Sequence, residues 1–229
     1  MKDYVLFIHG VNTRPDCKKP EYADNLFSLI SNRLTSRNLA SVPLCWGDVN
    51  VPNENELRRK WQNSPAWPQL WFQDFREKQL LQFIGDAALY ISRTVGSKAV
   101  IQMYGQLSTW LAKFDSDNDK LHIIAHSWGT VILFDILFAS RWNAPGQPGA
   151  DEVQNIRKFI QGVPDKAGSP VGQNQGLKIA SIHTMGSPLA IYQLMADPAS
   201  SHDIGLGLDQ TLTYYADGKS VCWRNYLHP

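Results

Sequence analysis

One serine stands where its neighbours could make it reactive. In "LHIIAHSWGTVILFDIL", residues 121–137, Ser127 lies between two apolar runs. Leu121 to Ala125 reads as a buried strand, and Val131 to Ala139 as a largely buried helix. A serine hydroxyl is a poor nucleophile at its ordinary pKa. It needs a base to take its proton and donors to hold the oxyanion that forms. A sharp strand-to-helix turn lifts the side chain clear of the sheet and aims amide N–H groups of the helix N-terminus at a reacting carbonyl. Such a turn crowds the residues two places either side, and here these are the small Ala125 and Gly129. The plainer use of a serine in this position is to cap the helix.

Other elements must bring partners to that corner. "YVLFIHG" is a short apolar run ended by Gly10 and reads as a strand. Tyr22, Leu26, Ile30 and Leu34 recur one turn apart and predict an amphipathic helix. "ASVPLCWGDV" is a second strand. Residues 50–75 hold several tryptophans and prolines, so short helical pieces and turns are expected. Residues 76–95 read as helix, and "KAVIQMYGQLSTWLAKF" carries apolar residues at spacings of four and three, a further helix. Residues 143–176 are rich in glycine, proline and amides and read as a surface insertion with one short helix around Val153 to Ile160. "LKIASIHTMGSPLAIY" returns to strand, glycine turn and helix, and "VCWRNYL" is a last strand.

Alternating strands and helices predict an α/β fold, a mostly parallel sheet with helices on both faces. In such sheets the site lies at the carboxyl ends of the strands, where Gly10, Ser127 and Gly186-Ser187 all fall.

These blocks carry a resemblance. "IIAHSWGTVI" resembles the nucleophile elbow of the α/β-hydrolases, usually G-x-S-x-G, with Ala125 in place of the first glycine. "VLFIHGVN" resembles the family's oxyanion strand and His-Gly turn, and "IHTMGSPL" the strand after the nucleophile helix in lipase-like members. The resemblance implies an α/β-hydrolase fold in one domain over 1–229, with 50–95 a cap-like helical insertion. It implies a lipase- or esterase-like serine hydrolase acting on a small ester or acyl substrate. Ser127 is then the nucleophile, and the backbone N–H groups of Val11 and Trp128 form the oxyanion hole. His9 and His126 are expected to serve packing and turn geometry, His183 to be a satisfied core histidine, and Ser187 to shape the pocket rim. The tryptophan-rich stretch 61–71 either caps an acyl pocket or packs on the sheet.

The family's acid and base follow the serine on later strands. "SVCWRNYLHP" resembles the strand before the acid, so the expectation is a chain lacking the last strand or strands, with acid and histidine beyond Pro229. Two alternatives stand beside it. Asp203, Asp209 or Asp217 could supply the acid and His202 or His228 the base. Or the protein is a catalytically incomplete member with a binding or scaffold role.

The whole chain narrows the field further. A net charge of +1 over 229 residues gives no field for nucleic acid or an acidic membrane. No run approaches eighteen apolar residues, so no transmembrane segment is expected, and the chain reads as cytoplasmic. Cys17, Cys45 and Cys222 are scattered, which argues against a disulfide framework and against a zinc site. There is no HExxH and no GxxxxGK[ST], so no metal or cofactor is implied.

Overall fold

The structure, a computed structural model, describes residues 1–14, 16–91, 93–110, 112–166, 176–189 and 221–226. Five strands form one all-parallel sheet: β1 (Asp3–Ile8), β2 (Leu39–Leu44), β3 (Lys120–His126), β4 (Lys178–Met185) and β5 (Cys222–Tyr226). Their order is β2-β1-β3-β4-β5. Among the described residues the helices are α1 (Asp24–Arg33), α2 (Val51–Gln62), α3 (Gln73–Phe75), α4 (Leu81–Ile91), α5 (Arg93–Trp110), α6 (Trp128–Phe138) and α7 (Ala150–Lys158). A π-helical turn at Arg76–Leu80 joins α3 to α4. This is the expected α/β architecture. Among the described residues no helix is long and apolar enough to cross a membrane.

Alternation along β1 divides the core in two. Tyr4, Leu6 and Ile8 join the larger cluster, with α5 and α6 residues such as Met103, Val131 and Phe134. Val5 and Phe7 point the other way, into a smaller cluster with Ala23, Phe27, Ile30 and Ile124. The crossover β1→β2 runs one way along the sheet and β3→β4 the other. Right-handed crossovers therefore put α1 on one face and α6 on the opposite face. Covered on both faces, β1 is buried throughout its length.

The register aligns the carboxyl ends. Ile8 pairs with Leu44 and Ala125, Ala125 with Thr184, and Thr184 with Asn225. The turns beginning at His9, His126 and Met185 therefore leave the sheet along one line.

Two expectations need correction, and a third gains detail. Residues 50–75 are not only short pieces, since α2 runs for twelve residues. Pro52 sits in its first turn, where a proline lacks no hydrogen bond that a helix would have made. The short helix expected in 143–176 is present as α7, and one of its faces is buried. In α7, Val153, Ile156 and Arg157 are buried. Arg157 donates from Nε to Ile136 O at 2.7 Å and from Nη2 to Ala139 O at 2.9 Å, closing carbonyls that the end of α6 leaves open. Finally, Cys17 and Cys45 form a disulfide, with Cα atoms 5.4 Å apart. Their spacing in sequence is silent about this, because the loop after β1 is what carries Cys17 to the end of β2.

Candidate active site

Ser127 occupies the corner between β3 and α6 with φ 51° and ψ −127°. This lies outside the basins open to ordinary L-residues. Backbone bonds hold it there. Its N–H donates to Met185 O at 2.8 Å, and its carbonyl accepts from Thr130 N at 2.9 Å and Thr130 Oγ1 at 2.7 Å. The side chain does not cap the helix. Among the described residues Oγ makes no hydrogen bond, and the residue is half-buried. The capping use of this serine is thereby set aside. Trp128 is the first residue of α6, so its amide lies at the helix N-terminus.

The turn after β1 lies directly against this corner. A Cβ on Gly10 would sit 2.7 Å from Ser127 Cβ, so only glycine fits. Gly129 does the same for the other side: a Cβ there would meet Ile8 O and His9 O at 2.6 Å. The two glycines let a strand end and a helix N-terminus touch.

His9 is buried and fixes the shape of that turn. Trp46 N–H donates to its Nε2 at 3.2 Å, which requires a lone pair there. The proton is therefore on Nδ1, which donates to Gly10 O at 2.7 Å. The imidazole stacks on Trp46, 5.2 Å between centroids, and burial lowers its pKa to about 4. It is a neutral clamp. A trans peptide holds its C=O and N–H on opposite sides. Fixing Gly10 O therefore directs the Val11 N–H the other way, and among the described residues that N–H has no acceptor. The Tyr22 hydroxyl lies between Phe7 O at 2.8 Å and Leu44 O at 2.7 Å, tying the ends of β1 and β2 together.

The chain then runs into a buried polar cluster. Asn12 N–H donates to Asp86 Oδ2 at 2.8 Å, and Arg14 Nη1 to the same oxygen at 2.7 Å. Arg14 Nη2 reaches Asp86 Oδ1 at 3.1 Å and also pairs with Glu54. Asn50 Nδ2 donates to Asp86 Oδ1 at 2.7 Å. Asp86, Glu54 and Asn50 come from α4, α2 and the turn before α2, so the helices after β2 are anchored to the loop after β1. Burial raises the pKa of Glu54 against the lowering effect of Arg14. Sequence reasoning missed all of these residues, and no local signal pairs Arg14 with a carboxylate 72 residues away.

The third turn completes the edge. Gly186 takes φ 54°, and its N–H donates to Tyr226 O at 3.1 Å. Ser187 Oγ lies 2.7 Å from Thr130 Oγ1. The Thr130 proton is already given to Ser127 O, so Ser187 is the donor. A cleft of about 360 Å³ opens beside these turns, lined by His9, Thr13, Tyr22, Leu26, His126 and Met185 among others.

The other histidines are distributed differently from expectation. His126 is exposed, against the Gly10 turn. His183 is half-buried on the sheet face rather than in the core. It bonds Ser181 Oγ at 2.9 Å and Tyr226 OH at 3.1 Å, since strand alternation turns it toward the thinly covered face. His202, His228, Asp203, Asp209 and Asp217 lie outside the described residues. In the tryptophan-rich stretch, Trp61 stacks on Trp67 at 5.9 Å, while Trp71 and Phe72 are 79% and 74% exposed and do not pack on the sheet. Cys17, Cys45 and Asp48 place three donor atoms within 4.8 Å of one another. Bonded to each other, the two sulfurs are not thiolate ligands.

No family of proteins, no curated protein and no solved structure matches this chain.

Proposed function

We propose that this chain is a serine hydrolase that cleaves carboxylic esters, built on the α/β-hydrolase plan. The observation that carries the reading is Ser127 itself. Its backbone is held in a strained conformation, its hydroxyl is withheld from helix capping, and the Gly10 turn touches it. Strain of this kind costs on the order of 1–3 kcal/mol and persists only where the surroundings enforce it.

In this reading Ser127 Oγ attacks the acyl carbonyl while a histidine takes its proton. The oxyanion is held by the amides of Val11 and Trp128. The tetrahedral intermediate collapses, the C–O bond to the leaving group breaks, and the histidine returns the proton to the departing alcohol. Water then attacks the acyl-enzyme with the same base, releasing the acid and restoring Ser127. Side chains, backbone amides and water complete the chemistry without a metal or cofactor. The cleft is lined by His126, the residue before Ser127, rather than by Ser127 itself, and its apolar side of Phe7, Leu26, Ile124 and Met185 suits an acyl chain. The cytoplasmic placement belongs to this reading too, and the Cys17–Cys45 disulfide stands against it, since such bonds are rare in reducing compartments.

The test is intact mass after incubation with a fluorophosphonate, which reacts readily with an activated serine. One adduct on the wild type and none on Ser127→Ala is the expected result, and it would place a working base within residues 1–229, against the expectation of an acid and histidine beyond Pro229. A folded wild type that gains no mass overturns the hydrolase reading and favours a binding role for the same fold.

A further inference from the structure

The two peptide planes flanking Val11 are both held by hydrogen bonds. The first is held through Gly10 O by His9 Nδ1 at 2.7 Å. The second is held through Asn12 N–H by Asp86 Oδ2 at 2.8 Å, with a longer bond from Thr13 Oγ1 to Val11 O at 3.4 Å. Planar trans peptides leave only two soft torsions at Val11, and fixing both planes fixes both torsions. The direction of the Val11 amide is therefore set chiefly by the histidine just after β1 and by one carboxylate from a distant helix, with a weaker contribution from Thr13.

We propose that Asp86 is a positioning residue for the oxyanion site: from α4 it locks the Asn12–Arg14 turn so that the Val11 amide stays directed at the acyl group on Ser127. This rests on the reading of Ser127 as the nucleophile. Two further observations support it. Asn12 has φ 57°, a left-handed conformation in a residue other than glycine, so the turn is held rather than relaxed. Asp86 is fully buried and spends both oxygens on the turn: Oδ2 accepts from Asn12 and Arg14, and Oδ1 from Arg14 and Asn50. And the means is costly. Burying carboxylates with a guanidinium commonly stabilises a fold no better than apolar packing of equal volume. What the ionic cluster supplies is direction, since a fork of charge-assisted hydrogen bonds admits one geometry.

The arrangement also couples two parts of the molecule. Arg14 bridges Asp86 of α4 and Glu54 of α2. These two helices thus bear on the site's chemistry through the loop that they hold.

The experiment compares wild type, Asp86→Asn, Asp86→Ala and Asp135→Asn. Asp135 is the control, a buried carboxylate whose bonds go to Tyr90, Arg141 and Trp142. Two readouts are taken: fluorophosphonate labelling rate at Ser127, and hydrogen exchange of the peptide spanning residues 10–14. An asparagine offers one acceptor oxygen where aspartate offers two, so Asp86→Asn loosens the turn while retaining most packing. The expected result is faster exchange at 10–14 with labelling about ten- to a hundred-fold slower, in line with the cost of misplacing an oxyanion donor. Asp135→Asn should lower the melting temperature and leave both readouts at the wild-type level. Unchanged labelling in a folded Asp86 variant, or equal slowing in the Asp135 control, overturns the positioning role alone. A folded wild type that is never labelled overturns the nucleophile reading, and this proposal with it.

Discussion

At the scale of single residues, the corner depends on atoms that are missing. Gly129 has no Cβ because two backbone carbonyls occupy its place. Neither carbonyl can retreat without moving the end of β1. Gly129→Ala should therefore cost about 2–3 kcal/mol by overpacking, read by urea unfolding. Gly105 is the counter-example, exposed in α5 with nothing within 4 Å of the place a Cβ would take. Gly105→Ala should stabilise by roughly 0.5–1 kcal/mol. If both substitutions behave alike, the close approach of β1 and α6 is wrong. His9 makes a different kind of prediction. Its pKa falls from about 6.5 unfolded to about 4 folded because burial disfavours the cation. Below pH 6.5 the unfolded chain takes up a proton that the native state refuses. Stability therefore drops as pH falls from 6.5 toward 4, by about 3 kcal/mol from this group. Burial lowers His122 and His183 as well, so their contributions have the same sign. Urea midpoints at pH 7.5 and pH 5 should show the loss, and His9→Gln should be less stable at pH 7.5 with a smaller difference between the two.

At the scale of elements, the loop from Gly10 to Tyr22 is the part that everything else restrains. Asp86 holds its start, the Tyr22 hydroxyl its end, and Cys17 its middle. The cysteines are 28 residues apart, and closing a loop of that length in the unfolded chain corresponds to about 3–4 kcal/mol in the chain-entropy account. Reduction, or Cys17→Ser, should lower the melting temperature by roughly 10 °C for a chain of this size. Identical melting curves with and without reductant would mean the bond is not formed in solution. The helices after β2 need the same loop, because Glu54 and Asp86 both form their ion pairs with Arg14.

At the scale of the molecule, strand order decides what can meet. β1 and β3 are neighbours at the middle of the sheet although the segment between them contains β2 and five helices. Their adjacency sets the Gly10 turn against Ser127. Central strands should also be the last to open. Backbone exchange should be slowest in 3–8 and 120–126, and fastest among the strands in the exposed edge strand 222–226. Early exchange in β1 would contradict its central position.

Short apolar runs and regular spacings carried the strands and most helices, because those signals are local and the chain obeys them residue by residue. The small residues around Ser127 were legible for the same reason: Ala125 and Gly129 record a crowding that lies within five residues. The helix α2 was hidden because proline reads as a breaker unless the helix start is known. The rest lay out of reach. Nothing near Arg14 names Asp86, nothing near Cys17 names Cys45, and the Tyr22 hydroxyl finds two strand ends rather than a neighbour. By itself the sequence determined the elements and the sharp turn at Ser127. Tertiary structure alone decided which turns touch and which buried charges pair, because such contacts depend on the paths of whole loops through space and leave no periodic mark on the chain.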